Sequence, residues 1–208
     1  MTDQTPGSPD AAPSVNGVEP PPMLDLALRA VALELDRHAA EGGWDQPARL
    51  FALVHTQDLL DQEPGLAGVL GVDPTADLTA SLTPVEQESL PPDEPLEEQL
   101  TQMVWPPEVH GTAVVVERLV LPPSVALPQD DEEAQLVAES HPERQEVRMT
   151  AAATRDGATY CALRLRDHDD AQSVVEGPDL VPALLELLQA TLTPVDPMDP
   201  RDQADDHQ

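Results

Sequence analysis

The sequence contains no lysine. All ten of its basic residues are arginine, against 40 aspartates and glutamates, a formal net charge of −30. The missing lysine excludes whole chemistries before any fold is considered. A P-loop needs a lysine on its phosphates, pyridoxal chemistry needs one for its Schiff base, and a protein kinase needs one on a strand. The shortage of positive charge also disfavours nucleic acid, whose binding rests on basic side chains releasing phosphate counterions. Anionic membrane surfaces are disfavoured for the same reason.

Cysteine and aromatics are almost as scarce. Cys161 is the single cysteine, so no intrachain disulfide can form and nothing suggests an oxidising compartment. Residues 1–22 lack the basic and apolar regions of a secretory signal, and no apolar run approaches the roughly 20 residues that span a bilayer. The expected location is therefore the cytoplasm. Trp44, Phe51, Trp105 and Tyr160 are the only aromatics, which leaves leucine, valine and alanine to fill a core.

Proline is abundant, with 24 residues, and it clusters. Together with the acids it marks residues 1–22 and 194–208 as disordered tails and about 72–95 as an acidic excursion. Between the tails the pattern predicts one domain over 23–193. Leu24, Leu28, Val31 and Leu35 recur at helical spacing, with Leu26, Ala30 and Leu33 widening the stripe, and Gly42-Gly43 stops the helix. Leu50 to Val54 is apolar on both faces and reads as an inner strand. Thr56 and Asp58 are cap candidates for a short helix that ends at Pro64-Gly65. A further short helix is expected from Pro95 to about Met103, a strand from Thr112 to Leu121, and a helix after the acids Asp130 to Glu133.

The sharpest local prediction is a hairpin. Glu146 to Thr154 and Ala158 to Arg166 flank Arg155-Asp156-Gly157, a three-residue loop with glycine where the left-handed conformation is required. That loop sets Val147 opposite Leu165, Met149 opposite Leu163 and Ala151 opposite Cys161 on one face. On the other it pairs Glu146 with Arg166, Arg148 with Arg164, and Ala152 with Tyr160. A closing helix carries Leu180, Leu184, Leu187, Leu188 and Leu192, with Asp179 as its candidate cap. The expected fold is α+β, an about four-stranded, mainly antiparallel sheet with helices from both ends packed on one face.

Several segments together resemble an uncharacterised family of actinobacterial proteins of about this length. They are Glu41-Gly42-Gly43-Trp44-Asp45-Gln46-Pro47, Arg49 to Val54, Trp105-Pro106, Glu117-Arg118, His141 to Arg148, Cys161 to Arg166 and Gly177 to Pro182. The resemblance implies a shared single-domain fold and brings no activity, cofactor or catalytic residue.

Arg118, Arg148, Arg164 and Arg166 are the candidate anion- or partner-binding residues, because an arginine fork grips carboxylates in two-pronged fashion. The plainer reading, and the preferred one, is an outer sheet face where they pair with Glu146, Glu117, Asp167 or the acidic tails. Asp167-His168-Asp169-Asp170 is the densest set of potential metal ligands, but it lacks the oxygen spacing and turn glycine of a calcium loop. His141, beside Glu143, could act as an acid or base, and Cys161 alternates onto the core face. Trp44 and Trp105 are expected to plug the ends of the sheet. No catalytic motif or cofactor signature occurs, so the reading leans towards a non-enzymatic binding or accessory protein with a protein partner, and leaves a homodimer open. The alternatives are an enzyme using the arginine face with His141 or His168, and a weak divalent-metal site at Asp167 to Asp170.

Overall fold

The computed structural model describes residues 23–193 except 74, 88, 89, 92, 93, 123, 126, 127 and 129, so the two expected tails lie outside the described residues. Helix α1 (Met23–Glu41) leads into strand β1 (Arg49–His55), helix α2 (Thr56–Gln62) and, after one 3-10 turn, the short helix α3 (Ala67–Leu70). Strand β2 (Leu82–Glu86), helix α4 (Leu96–Thr101), strand β3 (Gly111–Val120) and helix α5 (Asp131–Ser140) follow. The hairpin β4 (Gln145–Thr154) and β5 (Thr159–Leu165), the three-residue β6 (Val175–Gly177) and helix α6 (Pro182–Leu192) complete the chain.

The strands form one antiparallel sheet in the order β2-β1-β3-β4-β5-β6. It has six strands where about four were expected. The two additions are the sheet's edges, and each hid for a physical reason. β2 lies inside the acidic excursion and carries Pro84, which an edge strand tolerates because one of its sides has no ladder to join. β6 is too short to show any alternation.

The hairpin register is as the three-residue loop demands: Val147 faces Leu165, Arg148 faces Arg164, Ala151 faces Cys161 and Ala152 faces Tyr160. Gly157 takes φ +85°, the conformation that makes glycine the natural occupant.

Helices cover both faces of the sheet, which corrects the expectation of one. α1 packs across β2 to β5, and its Leu28, Val31, Leu35 and Ala39 meet Phe51, Leu53, Ala113, Val115 and Ala152. On the opposite face α4 and α6 bury Leu96, Leu100, Leu185, Leu188 and Leu192 against Leu50, Ala52, Val114, Val116, Ala151 and Cys161. Successive strand residues point to opposite faces, so the doubly apolar runs of β1 and β3 already implied two layers of helix. The buried alanines at 113, 151, 152, 153 and 162 give both faces a low relief in place of aromatics.

Several details of the helical stripes depart from the simple periodic reading. Leu26 and Ala30 are exposed on α1, whereas Asp36 is buried. α2 begins without a side-chain cap; its Thr56 hydroxyl bonds Thr83 instead. α6 is also uncapped: its N-cap is Val181, not Asp179, and no acid occupies its first turn. Leu185 joins Leu188 and Leu192 in its buried stripe, while Leu184 and Leu187 stay half-buried.

Candidate functional site

The hairpin arginines do not form an outer face; α1 and the loop after it cover them. Arg148 and Arg164 face each other across β4 and β5 with only 1% and 4% of their surface exposed. Two like charges so placed require compensation, because burial in a low-dielectric interior is costly for an unpaired ion. Three parts of the chain provide it.

Arg148 bonds Glu117, its register partner on β3, through Nε at 3.2 Å and Nη2 at 2.8 Å, and Nη2 also donates to the Gly43 carbonyl. Its guanidinium lies 4.4 Å from the centre of the Trp44 ring. Arg164 takes a two-pronged grip on Asp36 of α1, with Nε to Oδ1 at 3.1 Å and Nη2 to Oδ2 at 2.5 Å, and reaches Asp169 at 3.2 Å. Asp36 is itself 2% exposed. Arg166, half-exposed, grips Asp45 at 2.8 and 2.9 Å and also holds Glu146. Those hydrogen bonds raise the guanidinium's pKa above its ordinary value and hold the Asp45 carboxyl below its own.

The loop Gly42 to Gln46 is the clasp of this network. Gly43 at φ +80° and Asp45 at φ +66° turn the chain so that Trp44 lies over both Arg148 and Arg166. The indole N–H donates to Asp169 at 2.8 Å, and the Asp45 amide donates to Glu117 at 2.7 Å. Trp44 is therefore a cation–π lid over paired charges rather than an apolar plug. Of the expected carboxylate partners, Glu117 and Glu146 are present; Asp36, Asp45 and Asp169 stand where Asp167 and the tails were expected. Asp36 was hidden because its spacing placed it on a helix face that periodicity reads as apolar.

Arg118 is separated from this set. One residue beyond Glu117 on β3, it points to the opposite face, towards α4 and α6, following Val114 and Val116. Its Nη2 contacts both oxygens of Glu97 on α4, at 3.0 and 3.3 Å, and 40% of its side chain remains exposed.

Two adjoining cavities meet there. A narrow one of about 340 Å³ is lined by Val116, Met149, Val181, Leu184 and Leu187, among others, with Arg118 and Glu97 at its rim. A wider one of about 600 Å³ shares Leu96, Glu97, Val116 and Arg118 and extends past Gln46, Pro91 and Glu94. The half-buried Leu184 and Leu187 are thus the wall of a groove. Two further cavities lie beside Val54 and Val85 and beside Arg155 and Gln189. None of the four is lined by Arg148, Arg164, Arg166, His141 or His168.

The remaining candidates are locally engaged. Asp170 accepts from the amides of Gln172 and Ser173 and from the Ser173 hydroxyl, while Asp169 holds Arg164 and Trp44. Among the described residues no three ligating side chains converge on a point that could hold a metal. His141 accepts the Glu143 amide on Nδ1, and Cys161 is buried, which pushes its thiol pKa up.

Arg155, read from the sequence only as the first residue of the hairpin loop, proves to be a structural clamp. It donates to the carbonyls of Val109, Trp105, Pro106 and Leu192, tying the hairpin turn to the C-terminal end of α6. Its position in a turn gave no hint, because all four partners are distant backbone carbonyls.

No curated protein and no solved structure matches this chain. A family model described as PPA1309-like protein matches residues 28–193, which spans both helical layers, the whole sheet, the arginine network and the Arg118 groove. The chain belongs to the family of PPA1309-like proteins.

Proposed function

We propose that this chain is a non-enzymatic binding and accessory protein of the cytoplasm, and that it binds through the groove beside Arg118. One observation carries the reading: of the four arginines that could receive an anion or partner, Arg118 is the one that lines any of the four cavities described above. Arg148, Arg164 and Arg166 are each paired with carboxylates of the same chain, which suits a scaffold that fixes loop and helix in place, although among the described residues the buried Nη1 of Arg148 has no partner. An enzyme built on that face would need a water-excluding pocket lined by those groups and by His141 or His168. The groove instead has an apolar wall, few polar groups and a volume in the ordinary range for ligand sites.

A protein partner is the second reading, favoured by the wider compartment, which at about 600 Å³ extends past Pro91, Glu94, Leu96 and Gln99. Among the described residues the exposed large apolar side chains Leu26, Val69, Val85, Val104, Leu136 and Val175 belong to six different parts of the chain, whereas the groove gathers its apolar lining in one place.

Native mass spectrometry after capture from the cell of origin tests the reading, with the wild-type chain and Leu184→Gln in parallel. A stoichiometric adduct on the wild type, depleted on the variant, is expected. Equal recovery by both proteins would place binding elsewhere, and a wild type without any adduct would count against a binding role.

A further inference from the structure

The groove's walls and rim specify a class of ligand. We infer, on the basis of the binding reading above, that the narrow compartment takes a small amphipathic carboxylate. Its tail lies on Met149, Leu184 and Leu187, and its carboxylate meets Arg118.

The tail follows from the lining. Val116, Met149, Val181, Leu184 and Leu187 form an apolar wall of the roughly 340 Å³ cavity, and an aliphatic or aromatic group against it is partly removed from water at little cost in polar contacts. Met149 adds an unbranched, polarizable side chain that adapts to irregular shapes.

The head follows from Arg118, which lines the same cavity. Arg118 contacts Glu97 through Nη2 only, and among the described residues neither its Nη1 nor its Nε has a protein partner. A planar carboxylate can therefore approach the guanidinium along an unused edge, or replace Glu97, which returns to solvent. The start of α6 adds little to this: Pro182 has no N–H and the Leu184 amide already donates to the Val181 carbonyl, which leaves only the Ala183 amide in the first turn. A negative head group therefore depends on Arg118, in a molecule otherwise short of positive charge. The same shortage favours a singly charged carboxylate over a phosphate dianion, which a net charge of −30 repels more strongly.

Isothermal titration with octanoate, octanol and octyltrimethylammonium separates head from tail. Octanoate is expected to bind at one site per chain, with octanol weaker by about tenfold or more and the cation weaker still. Arg118→Gln should bring octanoate and octanol to equal affinity, Arg118→Lys should keep part of the preference, and Leu184→Gln should weaken both ligands. Octanol binding as tightly as octanoate, or an acid preference that survives Arg118→Gln, would overturn the carboxylate inference while the groove remained a site. Failure of every probe to bind would remove the groove reading as well. A stoichiometry well above one would mark detergent-like coating and contradict both.

Discussion

Arg148 and Arg164 stand opposite each other on neighbouring strands, both buried, and each is neutralised from a different part of the chain. Glu117 on β3 answers the first and Asp36 on α1 the second. This pairing welds the first helix, the central strand and the hairpin into one unit. It also explains why a domain so poor in basic residues concentrates them in one hairpin: they neutralise internal acid rather than recruit external anions.

Removing one member of such a pair should cost far more than removing both. Asp36→Asn leaves the buried Arg164 with only the half-exposed Asp169 at 3.2 Å as counter-ion and is expected to destabilise by about 2–4 kcal/mol. Asp36→Leu combined with Arg164→Met should recover most of that loss. Urea denaturation of the two variants checks the order, and a double variant weaker than the single one would refute it.

The lid over the arginines makes a second prediction. Trp44→Leu removes the ring beneath Arg148 and the hydrogen bond to Asp169, and should lower stability by about 1–2 kcal/mol. Faster amide hydrogen exchange at Gly43 and Asp45 should accompany it. Unchanged exchange there would mean that the loop is held without the indole.

Much of the fold was legible because local chemistry agreed with it. The Arg155-Asp156-Gly157 loop set the hairpin register, and the two-sided apolar run of β1 marked an inner strand. That run, with the β-branched run of β3, also implied helices on both faces, a consequence that the helices at the chain ends obscured. The edge strands escaped notice because Pro84 and the brevity of β6 erase the strand signature. The site was legible only as a list of arginines. Alternation along β3 puts Arg118 one face away from Glu117, but nothing local to the hairpin shows that Asp36, far away in sequence, would bury Arg164. Leu184 and Leu187 likewise looked like core, since periodicity marks an apolar face without saying what covers each part of it.

Acidity should weaken the protein through a histidine. His55 and His110 stack with ring centres 4.2 Å apart, and His55 Nδ1 and His110 Nε2 are buried without hydrogen-bond partners. Burial, then the neighbouring His55, holds the His110 pKa below its ordinary value; Arg155 pushes the same way and Asp156 opposes. The unfolded chain therefore binds the proton more readily than the folded one. Stability is full above about pH 6.5 and falls as the pH drops from there towards the folded pKa. Urea midpoints at pH 7.5 and 5.5 check the sign, and His110→Gln should flatten the difference. A midpoint that rises on acidification would contradict it.

The start of β3 has no room for a side chain. A Cβ at Gly111 would lie 2.6 Å from the Ala153 carbonyl oxygen, inside the ladder between β3 and β4. Gly111→Ala should cost about 1–3 kcal/mol through backbone displacement, measured as a lower unfolding midpoint; an unaltered midpoint would show that the two strands yield freely there.

The central claim, that binding occurs in the groove between α4, α6 and the sheet, is tested most directly by methyl NMR during titration with octanoate. Saturable shifts of the Met149, Leu184 and Leu187 methyls, with Leu26 and Val69 unmoved, are the predicted result. Shifts confined to other methyls, or none at saturating acid, would contradict it.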